Sequence, residues 1–467
     1  MRRLVAIIPA LCSLLLLGQA PAPGPLRSGP MLGYAELTEA SVWLQTRGDA
    51  SVRLRYHPEG RPGDARTTPV TKTSAETHRI ARFVIPGLAP GTTYRYEILV
   101  DGAAVPSGSP RTFRTQVLWH YRAAPPDFAA AVGSCFFQND AAVDRPGRPY
   151  GKGNGIFLEM ARLKPDLMIW LGDNVYYREV DFGSAASLAE RNAKAREAPE
   201  LRDLLASARN YATWDDHDFG PDNAAWTYRL SGEALRLFKL FWSNPTYGHN
   251  DIAGVFGQFS WSDVDFFLLD DRWYRTPDRA VNAAEKRMLG ERQMRWLQDA
   301  LLQSSAPFKI VANGSQMLNE NTQGDSFTTY PTEYRALIDW IVLNRISGVV
   351  FLTGDRHITQ LLRTTPEGFY TLYDFTSSPL TANSWVAKDE AQNPQLVPGT
   401  LVDNMQSFGM LRVSGPCNDR VLTMEAYDAT GAKRWTQAIR ARDLFAPGTA
   451  EKDRVGHFGC RWLKEPR

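Results

Sequence analysis

The chain has 467 residues, of which 43% are hydrophobic and 22% are charged. This composition excludes a disordered or fibrous protein, and the length makes two globular domains the natural expectation. The net charge of +2 gives no reason to expect nucleic acid or an anionic membrane as a partner. We therefore expect no nucleic-acid-binding patch. We also expect a monomer.

The first twenty residues have the pattern of an export signal. Arg2 and Arg3 precede an apolar run from Leu4 to Leu17, and small residues follow where cleavage would occur. The run is short for a membrane-spanning helix, and no other uncharged segment reaches its length. The sequence predicts a signal peptide over residues 1–20, export to the periplasm or the extracellular space, and no transmembrane anchor.

Export places the remaining cysteines in an oxidising compartment, where disulfides form. Cys135, Cys417 and Cys460 follow the signal. We expect Cys417 to pair with Cys460, because both lie in the C-terminal part of the chain. That pair would tie back a tail over residues 441–467. Cys135 is then left over, and a buried free thiol is one explanation for it.

Residues 21–30 are rich in Pro and Gly and predict a linker. Residues 31–117 contain short segments that alternate in period two, the pattern of half-buried strands. The stretch 88–94 resembles the corner of fibronectin-type sandwiches, where a Tyr hydroxyl caps a turn. We expect a small all-β, fibronectin-like sandwich with a structural and positioning role, carbohydrate or partner binding being the alternative. Its predicted strands include 40–46, 51–56 and 93–100.

Residues 118–440 alternate strands with helices, which is typical of an α/β domain. Helices are predicted at 155–163 and 186–205, the second as a solvated surface helix or, alternatively, a lid. The predicted strands are 128–133, 167–171, 211–214, 264–270, 308–312 and 347–353, with 370–375, 410–414, 421–427 and 433–440 completing a second sheet.

Five of these apolar strands end in groups that suit a metal site. The carboxyl ends of strands in α/β proteins converge on the crevice where ligands bind. An Asp after Gly often only forms a turn, but the recurrence at successive strands favours a metal site. The five groups are Gly133-Ser134-Cys135, Gly172-Asp173-Asn174-Val175-Tyr176, Trp214-Asp215-Asp216-His217, Asp271-Arg272 and Gly354-Asp355-Arg356-His357.

The ligand types are of two kinds. A thiolate, a phenolate and an imidazole suit a transition metal, and their negative charges together with a carboxylate favour ferric iron. Carboxylates alone suit Ca²⁺, Mg²⁺ or Mn²⁺. Asp173 is placed to bridge the two kinds, and two metals roughly 3.5–4 Å apart are the usual apparatus for displacement at phosphorus. The first kind comprises Cys135, Tyr176 and His357, and the second comprises Asp216 and Asp355.

At these motifs the chain resembles the calcineurin-like metallophosphatase superfamily and, within it, the alkaline phosphatase D (PhoD-like) family. Residues 172–176 match the superfamily block Gly-Asp-x-x-Tyr. Asp216 stands at an Asn ligand position, and Asp355 stands where the last block has its first His. Those two substitutions, the Gly-Ser-Cys group ending at Cys135 and the preceding fibronectin-like domain are features of this family. The resemblance covers nearly the whole mature chain.

The resemblance implies a four-layer αββα sandwich, a ferric ion with one or more calcium ions, and a small phosphate-ester substrate. Magnesium or manganese is an alternative at the second site. The resemblance also makes Cys135 an iron ligand. The superfamily's lone-His block has no counterpart here, since strand 308–312 ends in Asn313 and Gln316. The candidate metal ligands are Cys135, Asp173, Tyr176, Asp216, Asn223, Asp355 and His357.

We hypothesise a phosphatase or phosphodiesterase in which a metal-bound hydroxide attacks phosphorus in line. His217 would protonate or steady the leaving oxygen, or else bond to Asp218 or to a metal-bound water. Arg272 and Arg356 would grip the non-bridging oxygens, unless they pair with neighbouring carboxylates.

Three other interpretations stay open. The same site could serve a phospholipase or a nuclease, because metals do not select the ester substituent. A Ser hydrolase could use Ser134 or Ser315, although Ser315 lacks the Gly-x-Ser-x-Gly elbow. A non-catalytic secreted binding protein would leave the recurrent ligands at the strand ends unexplained.

Overall fold

The structure is a computed structural model that describes residues 24–321 and 325–449. The predicted signal peptide and Cys460 lie outside these residues, so the export signal and the Cys417–Cys460 pair stay predictions. Within the described ranges, no helix is both long enough and apolar enough to cross a membrane.

Residues 26–114 form an all-β region of two facing sheets. One sheet has the strand order β1-β2-β6, and the other has the order β4-β3-β7-β8, with β5 paired to β3 and β9 to β7. Apolar side chains that alternate along the strands fill the space between the sheets. The strands are β1 (Leu26–Ala35), β2 (Ala40–Thr46), β3 (Ala50–Pro58), β4 (Arg66–Thr67), β5 (Thr71–Thr73), β6 (Ile80–Ile85), β7 (Thr93–Val100), β8 (Ala103–Ala104) and β9 (Arg111–Arg114).

The predicted corner is present in this region. The Tyr94 hydroxyl accepts a hydrogen bond of 2.8 Å from the backbone N–H of Ala89. The predicted linker over 21–30 is wrong for its second half, because β1 begins at Leu26. Pro30 is tolerated because β1 is an edge strand whose pairing with β2 is irregular between Ser28 and Met31.

The rest of the chain forms two six-stranded sheets with helices. The first sheet has the order β12-β11-β10-β19-β20-β21, and the second has the order β13-β14-β15-β16-β18-β17. The strands are β10 (Phe128–Gly133), β11 (Leu167–Leu171), β12 (Arg209–Thr213), β13 (Gly257–Trp261), β14 (Val264–Leu268), β15 (Phe308–Ala312), β16 (Val349–Thr353), β17 (Gln360–Thr364), β18 (Leu372–Thr376), β19 (Ser407–Ser414), β20 (Val421–Asp428) and β21 (Lys433–Arg440). The helices are α1 (Ile156–Arg162), α2 (Ala185–Ala195), α3 (Arg202–Ser207), α4 (Asp216–Phe219), α5 (Ser231–Phe241), α6 (Glu291–Gln303) and α7 (Pro331–Leu343).

The layers follow from the alternation of side chains along the strands. In β11, Ile169 and its inward-facing neighbours pack against the second sheet. Met168 and Trp170 point the other way and pack with α1, α2, α3 and α5. Helices α6 and α7 cover the outer face of the second sheet through Leu297 and Leu337. The predicted four-layer αββα sandwich is confirmed.

Two predictions about this domain are wrong in detail. Strands β19 to β21 join the first sheet, because β19 pairs antiparallel with β10 and covers its open edge; only 370–375 belongs to the second sheet. The predicted helix 186–205 is two helices separated around Pro199, and α2 buries Arg191 and Asn192, so it is not a freely solvated helix.

The all-β region packs firmly on the first sheet and its helices. The indole Nε1 of Trp43 donates to the carbonyl of Leu240 at 3.0 Å. The amide Nδ2 of Asn210, in β12, donates to the carbonyl of Leu32 at 3.0 Å. Because these bonds are buried, the β region stabilises the sheet that carries most of the candidate ligands.

Candidate metal centre

The candidate ligands lie where parallel strands end. Cys135 follows β10, Asp173 follows β11 and Asp216 follows β12, while Asp355 and His357 follow β16. The first three strands are parallel neighbours in one sheet, and β16 lies in the other. The facing sheets therefore bring ligands from distant parts of the chain to one edge.

Three groups of potential ligands result, each with its donor atoms within 4.8 Å of one another. Asp173 belongs to the first two groups, and Asp216 belongs to the last two. The groups are Cys135 with Asp173 and His357, Asp173 with Asp216 and His217, and Asp215 with Asp216 and Asp355. Asp173 thus occupies the position of a bridge between two sites.

Direct side-chain contacts join the members of the first group to one another. The Tyr176 hydroxyl donates to Asp173 Oδ2 at 2.8 Å and lies 3.0 Å from His357 Nε2. The Cys135 Sγ lies 3.5 Å from the same carboxylate oxygen. The Ser378 hydroxyl donates to that sulfur at 3.1 Å, and its oxygen accepts from the backbone N–H of His357 at 3.0 Å. All four donor types predicted for a ferric site meet here.

The backbone at these turns is unusual for residues other than glycine. Cys135, Asp173, Asp355 and His357 have φ values of 63°, 53°, 66° and 55°, in the left-handed region. Such conformations cost free energy and persist where the surrounding structure imposes them, often at functional sites. The turns direct these side chains into the two adjacent ligand groups at the expense of local backbone stability.

Burial and mutual repulsion govern the pKa values of this group. Burial raises the pKa of the Cys135 thiol to about 12, and the Asp355 carboxylate contributes further. Burial, then the charges of Cys135 and Asp216, raise the pKa of Asp173 well above its usual range. Burial lowers the pKa of His357 to about 4. Acidic groups held this close need protons or cations between them.

The second site is composed of oxygen ligands. Burial, then Asp325 and Asp216, raise the pKa of Asp355 to about 8. Burial also acts to raise the pKa of Asp216, but the positive charges of His217 and Arg272 outweigh it and leave that pKa below its usual range. Asp216 is thus held ionised beside Asp355, which resists ionisation.

Several buried oxygens of the cluster find no hydrogen-bond donor among the described residues. They are Asp215 Oδ2, Asp216 Oδ1 and Asp271 Oδ1. Arg272 lies 4.0 Å from Asp216 Oδ1 and 3.7 Å from Asp271 Oδ1, beyond hydrogen-bond distance. A buried carboxylate oxygen without a donor is costly unless a cation satisfies it. The donor set and these oxygens fit a soft-ligand metal site beside an oxygen-ligand cation site.

His217 reaches the cavity from α4. Its ring stacks on Tyr176 with centroids 4.1 Å apart, and its Nε2 lies 3.7 Å from Asp222 Oδ1. Its backbone N–H donates to Asp173 Oδ1 at 3.2 Å. The alternative of a bond to Asp218 is not what the structure shows, since Asp218 accepts from backbone N–H groups instead.

The predicted phosphate-gripping arginines differ in placement. Arg272 has no exposed surface; its Nε donates to Asp215 Oδ1 at 2.6 Å and its Nη2 to Asp325 Oδ2 at 2.8 Å. This placement does not fit direct contact with a substrate. Arg356 lines the cavity, and its Nη2 donates to Glu390 Oε1 at 2.7 Å.

Asn223 also lies at the cavity. Its backbone N–H donates to Asp216 Oδ2 at 2.6 Å, and its side chain is exposed. The carboxylate of Asp216 is therefore fixed partly by the backbone of the residue predicted as its co-ligand.

An open cavity of about 840 Å³ leads to the two groups. Tyr150 and Trp385 flank it beside the His357 ring, with centroids 6.0 and 5.2 Å from that ring. The other lining residues include Asp173, Asp216, His217, Asp222, Asn223, Asp325, Asp355, Arg356 and Lys388.

Four functional candidates are absent from the sequence-based set. Asp215 was visible as the neighbour of Asp216, and Ser378 follows the end of β18, as the predicted ligands follow theirs. Asp325 and Tyr150 lie in irregular segments far from any strand end, so no local pattern indicated them. Only the fold brings these two residues to the cavity.

Comparison with known proteins agrees with this geometry. The family described as PhoD-like phosphatase matches residues 145–418, and a domain of unknown function, DUF7800, matches residues 24–118. Alkaline phosphatase D of Bacillus subtilis (strain 168) is 24% identical over 321 residues, 58% of this chain and 52% of that protein. The chain thus spans about half the length of this curated relative.

Two solved structures share the fold over most of the chain. The first, described as the structure of PhoD, has a TM-score of 0.71 and 16% identity, covering 90% of this chain and 93% of its own. The second is the purple acid phosphatase PPD1 of yellow lupin (Lupinus luteus), with a TM-score of 0.62 and 12% identity. The match covers 92% of this chain and 78% of the lupin chain. At these identities the likeness establishes the architecture.

Proposed function

Because the chain belongs to the PhoD-like phosphatase family, we propose that it is an exported, metal-dependent hydrolase of phosphate monoesters, diesters or both. The observation that carries this proposal is the sharing of Asp173 between the Cys135–His357 group and the Asp216–His217 group. Such a shared carboxylate is what a pair of adjacent metal ions requires.

We propose iron for the first group and calcium for the second, with magnesium or manganese as alternatives. Thiol, phenol and imidazole donors favour a transition metal, whereas the Asp216 and Asp355 carboxylates favour a hard cation. When bound, the ions would supply an activated water and offset the negative charge of the phosphoryl group.

The chain's own residues would orient the substrate and handle a proton. His217 faces the cavity and is held by its stacking on Tyr176, a position suited to protonating the leaving oxygen. Arg356 lies at the same cavity and would hold a non-bridging oxygen after exchanging its bond with Glu390. Arg272, being buried, would act through Asp215 and Asp325 as a positioning residue.

The placement of the serines weighs against a Ser nucleophile. Neither Ser134 nor Ser315 has exposed surface. The Ser134 hydroxyl donates to the carbonyl of Ser377, and the Ser315 hydroxyl accepts from Arg272 and Arg275. A nucleophile must reach a substrate, and these hydroxyls point into the protein.

Elemental analysis of the purified protein, together with turnover of a phosphomonoester and a phosphodiester, tests the proposal. We expect iron and calcium in the protein and hydrolysis that is lost in chelator and restored by the metal. Hydrolysis that is indifferent to a chelator shown to strip the metals would contradict it. Diester turnover that extends to phospholipid or DNA would indicate the phospholipase or nuclease variant of the same chemistry.

A further inference from the structure

A second cavity lies away from the metal centre. It has a volume of about 1290 Å³ and runs between the all-β region and the ends of α1 and α3. Its walls include the first residues of β1, the segment 105–114, the turn at Lys164 and the start of β12 at Arg209. We refer to it as the basic cleft.

The cleft is strongly cationic. Two aspartates, Asp166 and Asp203, are its only acidic lining residues in the part of the chain that the structure describes. The net charge of +2 for the whole chain does not reveal this local excess of positive charge. Its cationic lining residues are Arg27, Arg47, Arg111, Arg114, Arg162, Lys164, Arg202 and Arg209.

Most of these cations are not neutralised by the protein. Arg27 pairs with Glu190 and Glu197, and Arg162 pairs with Glu159. Within residues 24–321 and 325–449, the other six form no ion pair with a carboxylate, and the buried Nε of Arg209 has no hydrogen-bond partner. Burial lowers the pKa of Arg209, with the charge of Asp166 acting in the opposite direction. Its Nη2 donates to the carbonyl of Arg114 at 2.8 Å, so the protein satisfies this guanidinium in part, and a bound anion would add to that.

The loop 106–110 adds neutral donors to one wall. Its sequence is Pro-Ser-Gly-Ser-Pro, and both serines are exposed and line the cleft. Arg111 fixes the loop by donating from Nη1 to the carbonyl of Val105 at 3.0 Å and from Nη2 to that of Pro106 at 2.9 Å. Guanidinium groups bind phosphate oxygens in a bidentate manner, and serine hydroxyls can donate further hydrogen bonds to the same phosphate group.

We propose that the basic cleft binds a soluble polyanion whose charges are phosphate groups repeated along a chain. The repeat is required because six unpaired cations, spread over four separate segments of the chain, exceed what one phosphate group can contact. The cleft lies at the amino ends of β11 and β12, whereas the metal ligands follow their carboxyl ends, roughly 17 Å away along a five-residue strand. It is therefore separate from the metal cavity, and its ligand binding does not depend on the proposed hydrolysis.

Fluorescein-labelled linear polyphosphate, titrated with the purified full chain and followed by fluorescence anisotropy, tests the proposal. We expect binding that weakens steeply as salt concentration rises. The triple variant R114E/K164E/R202E changes three exposed cations of the cleft and should bind at least about tenfold more weakly. The control R53E/K72E/R335E changes the net charge equally outside the cleft and should stay within about threefold of the wild type.

An equal loss in the two triple variants would overturn the proposal, because net charge alone would then explain binding. Equal binding of labelled polyglutamate would overturn the phosphate preference, and preferential binding to anionic lipid vesicles would overturn the soluble partner. Turnover of a small phosphate ester should be unchanged in R114E/K164E/R202E. If that variant does not fold, protection of Lys164 from acetylation by polyphosphate, with Lys72 unprotected, provides the same test on the wild type, and equal acetylation of both lysines would overturn the proposal.

Discussion

Asp218 holds the turn that carries Asp173: its Oδ1 accepts a hydrogen bond of 3.0 Å from the backbone N–H of Asn174. Its Oδ2 accepts a bond of 3.1 Å from the backbone N–H of Asp215, so one carboxylate ties together the turns after β11 and β12. This side chain is buried and does not line the metal cavity, yet it fixes the spacing between two of the ligand groups.

Replacing Asp218 with Asn should therefore weaken metal retention. One amide cannot accept both bonds as a carboxylate does, so the two turns lose their common anchor. We expect about a 10- to 100-fold loss of metal affinity or turnover, measured by elemental analysis after dialysis and by ester hydrolysis. Asp339→Asn changes an exposed carboxylate of α7, away from the cavity, and serves as the control. Unchanged metal content in D218N would show that the turns hold their spacing without it.

Replacing Cys135 with Ala should remove iron and most turnover. The sulfur has no exposed surface and lies among Asp173, His357 and Ser378, so its loss leaves the first group without its soft donor. Iron is measured by elemental analysis, and the visible absorption of a ferric thiolate or phenolate site should fall with it. Ser378→Ala, which removes the donor to that sulfur and the acceptor for the backbone N–H of His357 but leaves the sulfur in place, should keep iron and shift the absorption. Full activity and normal iron in C135A would exclude the ligand assignment.

Replacing Arg272 with Met should destabilise the protein strongly. The guanidinium lies between Asp215 and Asp325 with no exposed surface, and its removal leaves Asp215 without this counterion and Asp325 with Arg275 alone. Breaking such a buried pair costs about 3–5 kcal/mol. The unfolding midpoint in urea measures the change, and Arg295→Met, which breaks an exposed pair with Asp299, should change stability by less than about 1 kcal/mol. A similar midpoint for R272M and the wild type would show that the cluster does not need this charge.

The stability of the fold should fall as pH rises through the acidic range, in part because of Glu36. Burial, and then Glu39, raise the pKa of Glu36 from 4.5 to about 7. The folded state therefore holds a proton that the unfolded state has lost, so stability declines between about pH 4.5 and 7 and is level above.

Glu36→Gln removes this penalty. We expect the variant to be more stable than the wild type by about 1–3 kcal/mol at pH 8 and nearly equal to it at pH 4.5. Thermal unfolding at both pH values measures the difference, with the exposed Glu76→Gln as the control. A gain that is the same at both pH values would locate the effect in packing instead of protonation.

The strands and their ends were predictable because buried parallel strands are short apolar runs that stop at polar turns. Strands β10, β11 and β15 have the predicted bounds, and the residues at their ends define most of the candidate site. Local pattern carries this information, since each ligand directly follows its strand.

The rest depends on contacts between distant residues. The sequence pattern of the antiparallel strands β19 to β21 would be the same in either sheet. Their sheet is determined by the pairing of β19 with β10. Arg272 follows its strand like the ligands, but only tertiary packing shows that Asp215 and Asp325 enclose it. The basic cleft likewise combines residues from several separated segments, which a net charge cannot reveal.

The left-handed backbone at Cys135, Asp173, Asp355 and His357 limits which residues can stand at these positions, apart from any metal chemistry. Side chains branched at Cβ fit poorly at positive φ, whereas Asn and Gly are accepted. A mutational scan at Asp173 or Asp355 should thus show two separate tiers, with Asn and Gly variants that fold but lack a charged ligand and Val or Ile variants that fail to accumulate. The difference in folded yield between these two classes of variant measures the conformational cost of the site independently of its catalysis.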